Sequence, residues 1–203
     1  MLIQGGLIVD GTGNPGFYGT IGIDGNSVRV LRGDISDVES ERVLDASGKV
    51  VCPGFIDVHS HSGLVILSDP SHESKVRQGI TTELVGVDGN SYAPFKSKIN
   101  LQKFITLNAG LDGDPSMGNE WATVREYLSL FDRKVSVNVA YLVGNSPIRI
   151  GTVGWDNRKP SKNELQDMRS LLRESLEDGA FGMSTGLDYP PGSYADTDEL
   201  VSL

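Results

Sequence analysis

The spacing of apolar residues changes character near residue 53. Before that point they come in short runs separated by glycine turns. Leu7-Ile8-Val9, residues 19–23, residues 27–31 and Arg42-Val43-Leu44 read as strands, while Asp24-Gly25-Asn26 and Ser47-Gly48-Lys49 read as turns. Little in this stretch has helical spacing, so residues 1–53 are expected to form part of a small β-sandwich. From Gly54 onward the pattern alternates between strand and helix. Residues 54–58 predict a strand, residues 71–78 a short helix stopped by Gly79, and residues 80–87 a second strand rich in β-branched residues. Residues 100–118 form a long insertion with no clear period. Trp121, Val124, Leu128 and Phe131 then fall at helical spacing and predict a helix over 120–131, followed by a third strand over 135–143.

The strongest helix signal follows. Ser161-Lys162-Asn163-Glu164 has the form of a capping box, and Leu165, Met168, Leu172 and Leu176 build one apolar stripe that Asp178-Gly179 closes. Residues 180–184 predict a fourth strand and residues 197–203 the start of a further helix. Strands alternating with helices imply parallel pairing with right-handed crossovers. A (β/α)₈ barrel has eight such strands and typically ~250 residues. The expected fold is therefore α/β: a β-sandwich portion over 1–53, then about the first half of a TIM barrel over 54–203, incomplete at the C-terminus. The alternative is a complete open sheet of four strands.

Composition narrows the partners. The 203 residues include 25 glycines, in keeping with many tight turns and βα loops. The formal net charge of −9 disfavours binding to nucleic acid or to an anionic membrane surface. Cys52 is the single cysteine, so no intrachain disulfide forms, and its apolar setting reads as a small buried hydrophobe. No apolar run approaches the ~20 residues needed to span a bilayer, and the first residues lack the pattern of a signal peptide. A cytoplasmic location is the default expectation.

The candidate chemistry begins at Gly54-Phe55-Ile56-Asp57-Val58-His59-Ser60-His61, an apolar strand ending in His-x-His. Alternate side chains on a strand share a face, so Asp57, His59 and His61 point the same way. Two imidazoles at the C-terminal end of a strand that opens a βα series lie where barrel active sites are built, and imidazole suits zinc and similar ions. Asp57 reads either as a carboxylate satisfying backbone donors or as an orienting partner for an imidazole. Asp88 ends the second strand in an Asp-Gly pair: it is either a turn residue or a third metal ligand beside the histidines. His72, at a helix start, reads as a packing or surface histidine. Tyr189 lies in the stiff loop Tyr189-Pro190-Pro191-Gly192 after strand four, as a substrate contact at the rim or as a loop anchor. Gly11-Thr12-Gly13-Asn14-Pro15-Gly16 matches a dinucleotide fingerprint, but strand-like residues follow where a helix is required, so it reads as a turn.

With these residues in view, the whole chain resembles the amidohydrolase superfamily, and within it the N-acyl-D-amino-acid deacylase (D-aminoacylase) family. The resemblance runs through residues 6–13, 53–61, Gly79-Ile80-Thr81-Thr82 and Ser91-Tyr92-Ala93-Pro94, and is most specific over residues 179–192. It implies a (β/α)₈ barrel, zinc (one or two ions, or another divalent metal), a water nucleophile, and hydrolysis of the amide of a small N-acyl-D-amino acid. His59 and His61 match the paired histidines of strand one. The resemblance places two further histidines and a catalytic aspartate beyond Leu203, in the other half of the barrel. No general acid or base is therefore expected within 1–203. Two departures stand out. Asp88 takes the place of a family cysteine ligand, and Asn145 takes the place of a histidine after strand three. Strand four ends without the lysine that the resemblance links to cyclic amidases. Another amidohydrolase activity, on cyclic amides or dipeptides, and a catalytically incomplete fragment remain the alternatives.

Overall fold

Both textures are realised in the computed structural model, which describes residues 1–33, 35, 37–113, 118 and 120–203. The chain divides into two units, Met1–Gly54 and Phe55–Leu203. In the first, seven short strands form two sheets. β1 (Leu2–Gln4), β4 (Thr20–Asp24), β5 (Ser27–Leu31) and β6 (Val43–Asp45) make one, in the order β5-β4-β1-β6. β2 (Leu7–Ile8), β3 (Phe17–Tyr18) and β7 (Val50–Val51) make the other, in the order β3-β2-β7. Asp24 pairs with Ser27 across a two-residue turn, and Gly25 takes the left-handed φ of 54° that such a turn needs. Leu2, Ile8, Ile21 and Ala46 are buried here. The glycine run 11–16 leads into β3, not into a helix, so it is a turn. Cys52 is exposed, contrary to the expectation of burial. It follows a two-residue strand and precedes Pro53, so neither sheet covers it.

In the second unit, β8 (Phe55–Ser60), β9 (Ile80–Val85), β10 (Asn138–Gly144) and β11 (Gly182–Ser184) form one sheet in chain order. Every pair is parallel, with Val139 opposite Glu83 and Gly144 opposite Ser184. This is the first half of a (β/α)₈ barrel. Helices cross between the strands: α1 (Val65–Ser68) and α2 (Glu73–Val76) after β8, α3 (Lys98–Asp112) and α4 (Val124–Ser129) after β9, α5 (Asn145–Thr152) and α6 (Lys162–Glu177) after β10. A single 3₁₀ turn at Gly192–Tyr194 and α7 (Thr197–Ser202) follow β11.

Local chemistry explains the helix ends. Ser161 and Glu164 form the expected capping box of α6. Thr123 and Glu126 form a second, which starts α4 at Val124, later than the periodicity predicts. Trp121 stays in the preceding loop and donates its indole N–H to the Tyr92 carbonyl at 2.6 Å. On α6 the buried stripe is Met168, Leu171, Leu172 and Ser175, while Leu176 is exposed. The stripe is therefore turned by one residue from the predicted one. The insertion contains the 15-residue helix α3, capped by Ser97 and stopped by Gly113 at φ 76°. Its buried positions are Leu101, Phe104, Ile105, Asn108 and Asp112. Exposed Ile99, Leu107 and Leu111 hide that stripe from a sequence count. Residues 114–117 and 119 of the insertion lie outside the described residues.

The core of this unit is mainly aliphatic, with two groups of aromatic rings set into it. Tyr92, Phe95, Phe104, Trp121, Tyr127, Phe131 and Tyr141 are all buried and joined by ring contacts. Each such burial contributes roughly 1.5–3 kcal/mol. The core seats the loops after β9 and β10 beneath the strand ends. The face of β8 carrying Ile56 and Val58 is, by contrast, exposed.

Candidate metal centre

The parallel sheet brings its C-terminal strand ends together, and three predicted residues meet there. His59 is on β8, and His61 lies just past it. Asp88 stands in the turn after β9 with a left-handed φ of 53°, which a short polar side chain tolerates. The Asp88 Oδ2 atom is 3.1 Å from His59 Nε2 and 3.2 Å from His61 Nε2. One ligand atom from each of the three lies within 4.8 Å of the others. Two imidazole nitrogens and one carboxylate oxygen facing a common point form a donor set that fits zinc.

Glycines make this approach possible. Gly86 turns the chain out of β9 at φ 81°, and a Cβ there would meet the Leu142 carbonyl oxygen at 2.0 Å. A Cβ at Gly186 would meet the Asp88 carbonyl oxygen at 1.8 Å. The loop after β11 is thus pressed backbone to backbone against the Asp88 turn. Ser184 Oγ donates to the Gly86 carbonyl at 2.5 Å and accepts from the Gly89 N–H at 3.0 Å. Tyr189 donates its hydroxyl to the Asp88 carbonyl at 2.5 Å and accepts from Asn90 Nδ2 at 2.9 Å. Burial, with Asp88 close by, pushes the Tyr189 phenol up to about 12. Asn145 is fully buried. Its Oδ1 accepts from the Gly186 N–H at 3.1 Å and its Nδ2 donates to the Gly192 carbonyl at 3.3 Å. In this chain the residue after strand three fastens the start of α5 to the segment after β11 at two points.

The other candidates separate. Asp57 accepts from Lys75 Nζ at 2.5 Å and from the His59 N–H at 3.1 Å. These bonds, led by the lysine, hold its carboxyl below the usual range. Its carboxylate satisfies these two donors. His72 is buried, with Nε2 2.7 Å from Glu83 Oε1. Two residues that the sequence reading did not single out stand beside the centre. Glu83 accepts from Ser60 Oγ and Ser62 Oγ, both at 2.5 Å, and so holds the backbone on each side of His61. Asp112, at the end of α3, lies 2.8 Å from His61 Nδ1 and accepts from the Tyr92 hydroxyl. Burial pushes the Asp112 carboxyl up, against the opposing pull of Tyr92 and His61. Both acids had a signal: Glu83 is a charged residue in mid-strand on the face of buried Val85, and Asp112 falls at helical spacing from Leu101, Phe104 and Asn108.

Comparison with known proteins places the chain among relatives. Residues 42–197 match the model of the amidohydrolase family. Over 204 aligned residues the chain is 36% identical to the N-acyl-D-glutamate deacylase of Alcaligenes xylosoxydans xylosoxydans, covering 100% of this chain and 40% of the relative. It is 37% identical to the N-acyl-D-aspartate deacylase of the same organism, with 100% and 39% coverage. The crystal structure of N-acyl-D-glutamate deacylase from Bordetella bronchiseptica, complexed with zinc and a phosphonate mimic of the tetrahedral intermediate, superposes with a TM-score of 0.83 at 36% identity, covering 100% of this chain and 41% of that one. The chain thus spans about two fifths of the length of these relatives. Among the described residues no helix is long and apolar enough to cross a membrane. With its half-barrel sheet, its strand-end histidines and a family match over most of its length, the chain belongs to the amidohydrolase family.

Proposed function

We propose that this chain supplies the metal-binding first half of a hydrolase that cleaves the amide of N-acyl-D-amino acids. The observation that carries the reading is the convergence of His59 Nε2 and His61 Nε2 on Asp88 Oδ2 at the C-terminal strand ends. The relatives' deacylase activities narrow the reaction from amide hydrolysis in general to the N-acyl-D-amino acids. His59, His61 and Asp88 would hold the metal. When bound, zinc supplies Lewis acidity toward the acyl carbonyl and brings the pKa of water toward ~7.

The chain's own residues do the rest of the work on this side of the barrel. Glu83 keeps the His61 backbone in place through Ser60 and Ser62. Tyr189, its hydroxyl already engaged, offers its ring to the substrate while holding the rim loop on the Asp88 turn. Asp57 is tied to Lys75, so it is not free to shuttle a proton. The resemblance assigns that role to a carboxylate outside residues 1–203. Strand four ends in Ser184, not a lysine, which favours linear over cyclic amides.

The test uses the intact protein with zinc, assayed on N-acetyl-D-amino acids, their L-enantiomers, hydantoins and dipeptides. The reading predicts turnover concentrated in the D-amides and abolished by a chelator. Faster turnover of hydantoins or dipeptides would replace this activity with another of the same family.

A further inference from the structure

We propose that Asp112, delivered by the insertion helix α3 and steadied by Tyr92, is the positioning residue that commits the His61 Nε2 atom to the metal. This rests on the metal reading of His59, His61 and Asp88 given above.

The argument is one of hydrogen-bond partners. Neutral imidazole has one N–H and one lone pair, and the partner of one nitrogen decides the role of the other. Asp112 Oδ1 lies 2.8 Å from His61 Nδ1. The other oxygen of the carboxylate accepts from the Tyr92 hydroxyl. Burial raises the Tyr92 phenol far above its ordinary value, so it keeps its proton and acts as a donor. With the Asp112 carboxylate accepting on both oxygens, Nδ1 carries the proton and Nε2 keeps the lone pair. That lone pair faces the shared point beside Asp88.

The arrangement is closed. Asp112 is 3% exposed, and the cavity lined by His61, Tyr92 and Asp112 has a volume of about 10 Å³, at the lower limit for one water. The Nδ1 side of the ring therefore faces a partner that solvent hardly reaches. His59 differs: among the described residues its Nδ1 has no protein partner, and its side chain is 58% exposed. One ligand is therefore set before metal arrives, and the other is free to adjust. Partners of this kind are typically worth about 10–100-fold in metal affinity.

The experiment compares the intact wild-type protein with Asp112→Ala, Asp112→Asn and Tyr92→Phe. Proton–nitrogen correlation spectra of the imidazoles are recorded with and without zinc, and zinc affinity is measured by chelator competition. In the wild type the His61 Nδ1 proton is expected as a low-field resonance even without metal, and zinc is expected on Nε2. Asp112→Ala should lose that resonance and weaken zinc binding by about 10–100-fold. Asp112→Asn, whose amide oxygen still accepts, should keep the resonance and lose less. Tyr92→Phe should fall between the wild type and Asp112→Ala.

Zinc on Nδ1 in the wild type overturns the proposal, whether or not any variant folds. So does a folded Asp112→Ala protein with affinity within about twofold of wild type. A wild type that binds no zinc at His59 and His61 overturns the metal reading instead. The metal-free Nδ1 resonance then decides separately whether Asp112 holds the ring.

Discussion

Two histidine–carboxylate clusters are built on the same pair of strands. At the mouth, His59 and His61 turn their Nε2 atoms toward Asp88, whose side chain is 47% exposed. Below it, His72 Nε2 meets Glu83, and Glu83 also takes both Ser60 and Ser62. The residue types are the same, but the tally of partners is not. In the lower cluster every Glu83 contact is internal and the carboxylate is fully buried, so the group acts as a fastening. In the upper cluster two imidazole nitrogens share one oxygen, which leaves lone-pair capacity for an added ion. What separates a ligand from a strut here is unspent coordination, not the presence of histidine.

The largest effect should come from breaking the upper cluster. His61→Ala and His59→Ala in the intact protein are expected to lower deacylation by a factor of about 10³ or more, with loss of zinc and little change in melting temperature. Near-normal turnover of both at matched metal content would remove the upper cluster from catalysis. Breaking the lower cluster should do the reverse. Glu83→Ala leaves His72 and one hydroxyl of the Ser60–Ser62 pair, which bond each other at 2.8 Å, buried without an acceptor and is expected to cost about 3 kcal/mol or more in urea unfolding. A Glu83→Ala protein of unchanged stability would show that the strut reading is wrong.

The smallest effect lies away from both clusters, at the start of α6. The Arg158 guanidinium, and then the Ser161 N–H, hold the Glu164 carboxyl well below the usual range. A carboxyl depressed in the folded state stabilises above its unfolded value, about 4.3, and that contribution fades as pH falls through the folded value. The stability gap between wild type and Glu164→Ala should therefore be constant near neutrality and close in acid. A gap that widens in acid would contradict the sign. Because this cap is solvent-facing, its pH response offers a baseline against which changes in either cluster can be compared.

The parts of this picture visible in the sequence are those with local causes. The alternation after Gly54 is visible because a parallel strand and an amphipathic helix have different periods. His59, His61 and Asp88 could be placed together because neighbouring strands of a barrel end side by side. Asp112 could not, since it lies 51 residues from His61 and reaches it only because α3 forms. The α3 stripe ends in Asn108 and Asp112, so counting apolar residues alone misses it. Leu176 and Cys52 mislead for the complementary reason: one continues an apolar helical spacing and the other sits in an apolar run, yet among the described residues both are exposed.

The close approach of Gly186 to the Asp88 carbonyl has a consequence for how the protein can vary. A survey that replaces each residue in turn would find several imidazole-lined positions forgiving in fold and costly only in turnover. At residue 86 the addition of a single methyl group would drive the chain leaving β9 into the β10 backbone at Leu142, and at residue 186 it would push the loop after β11 off the Asp88 turn. The positions least open to change would then include two with no side chain at all.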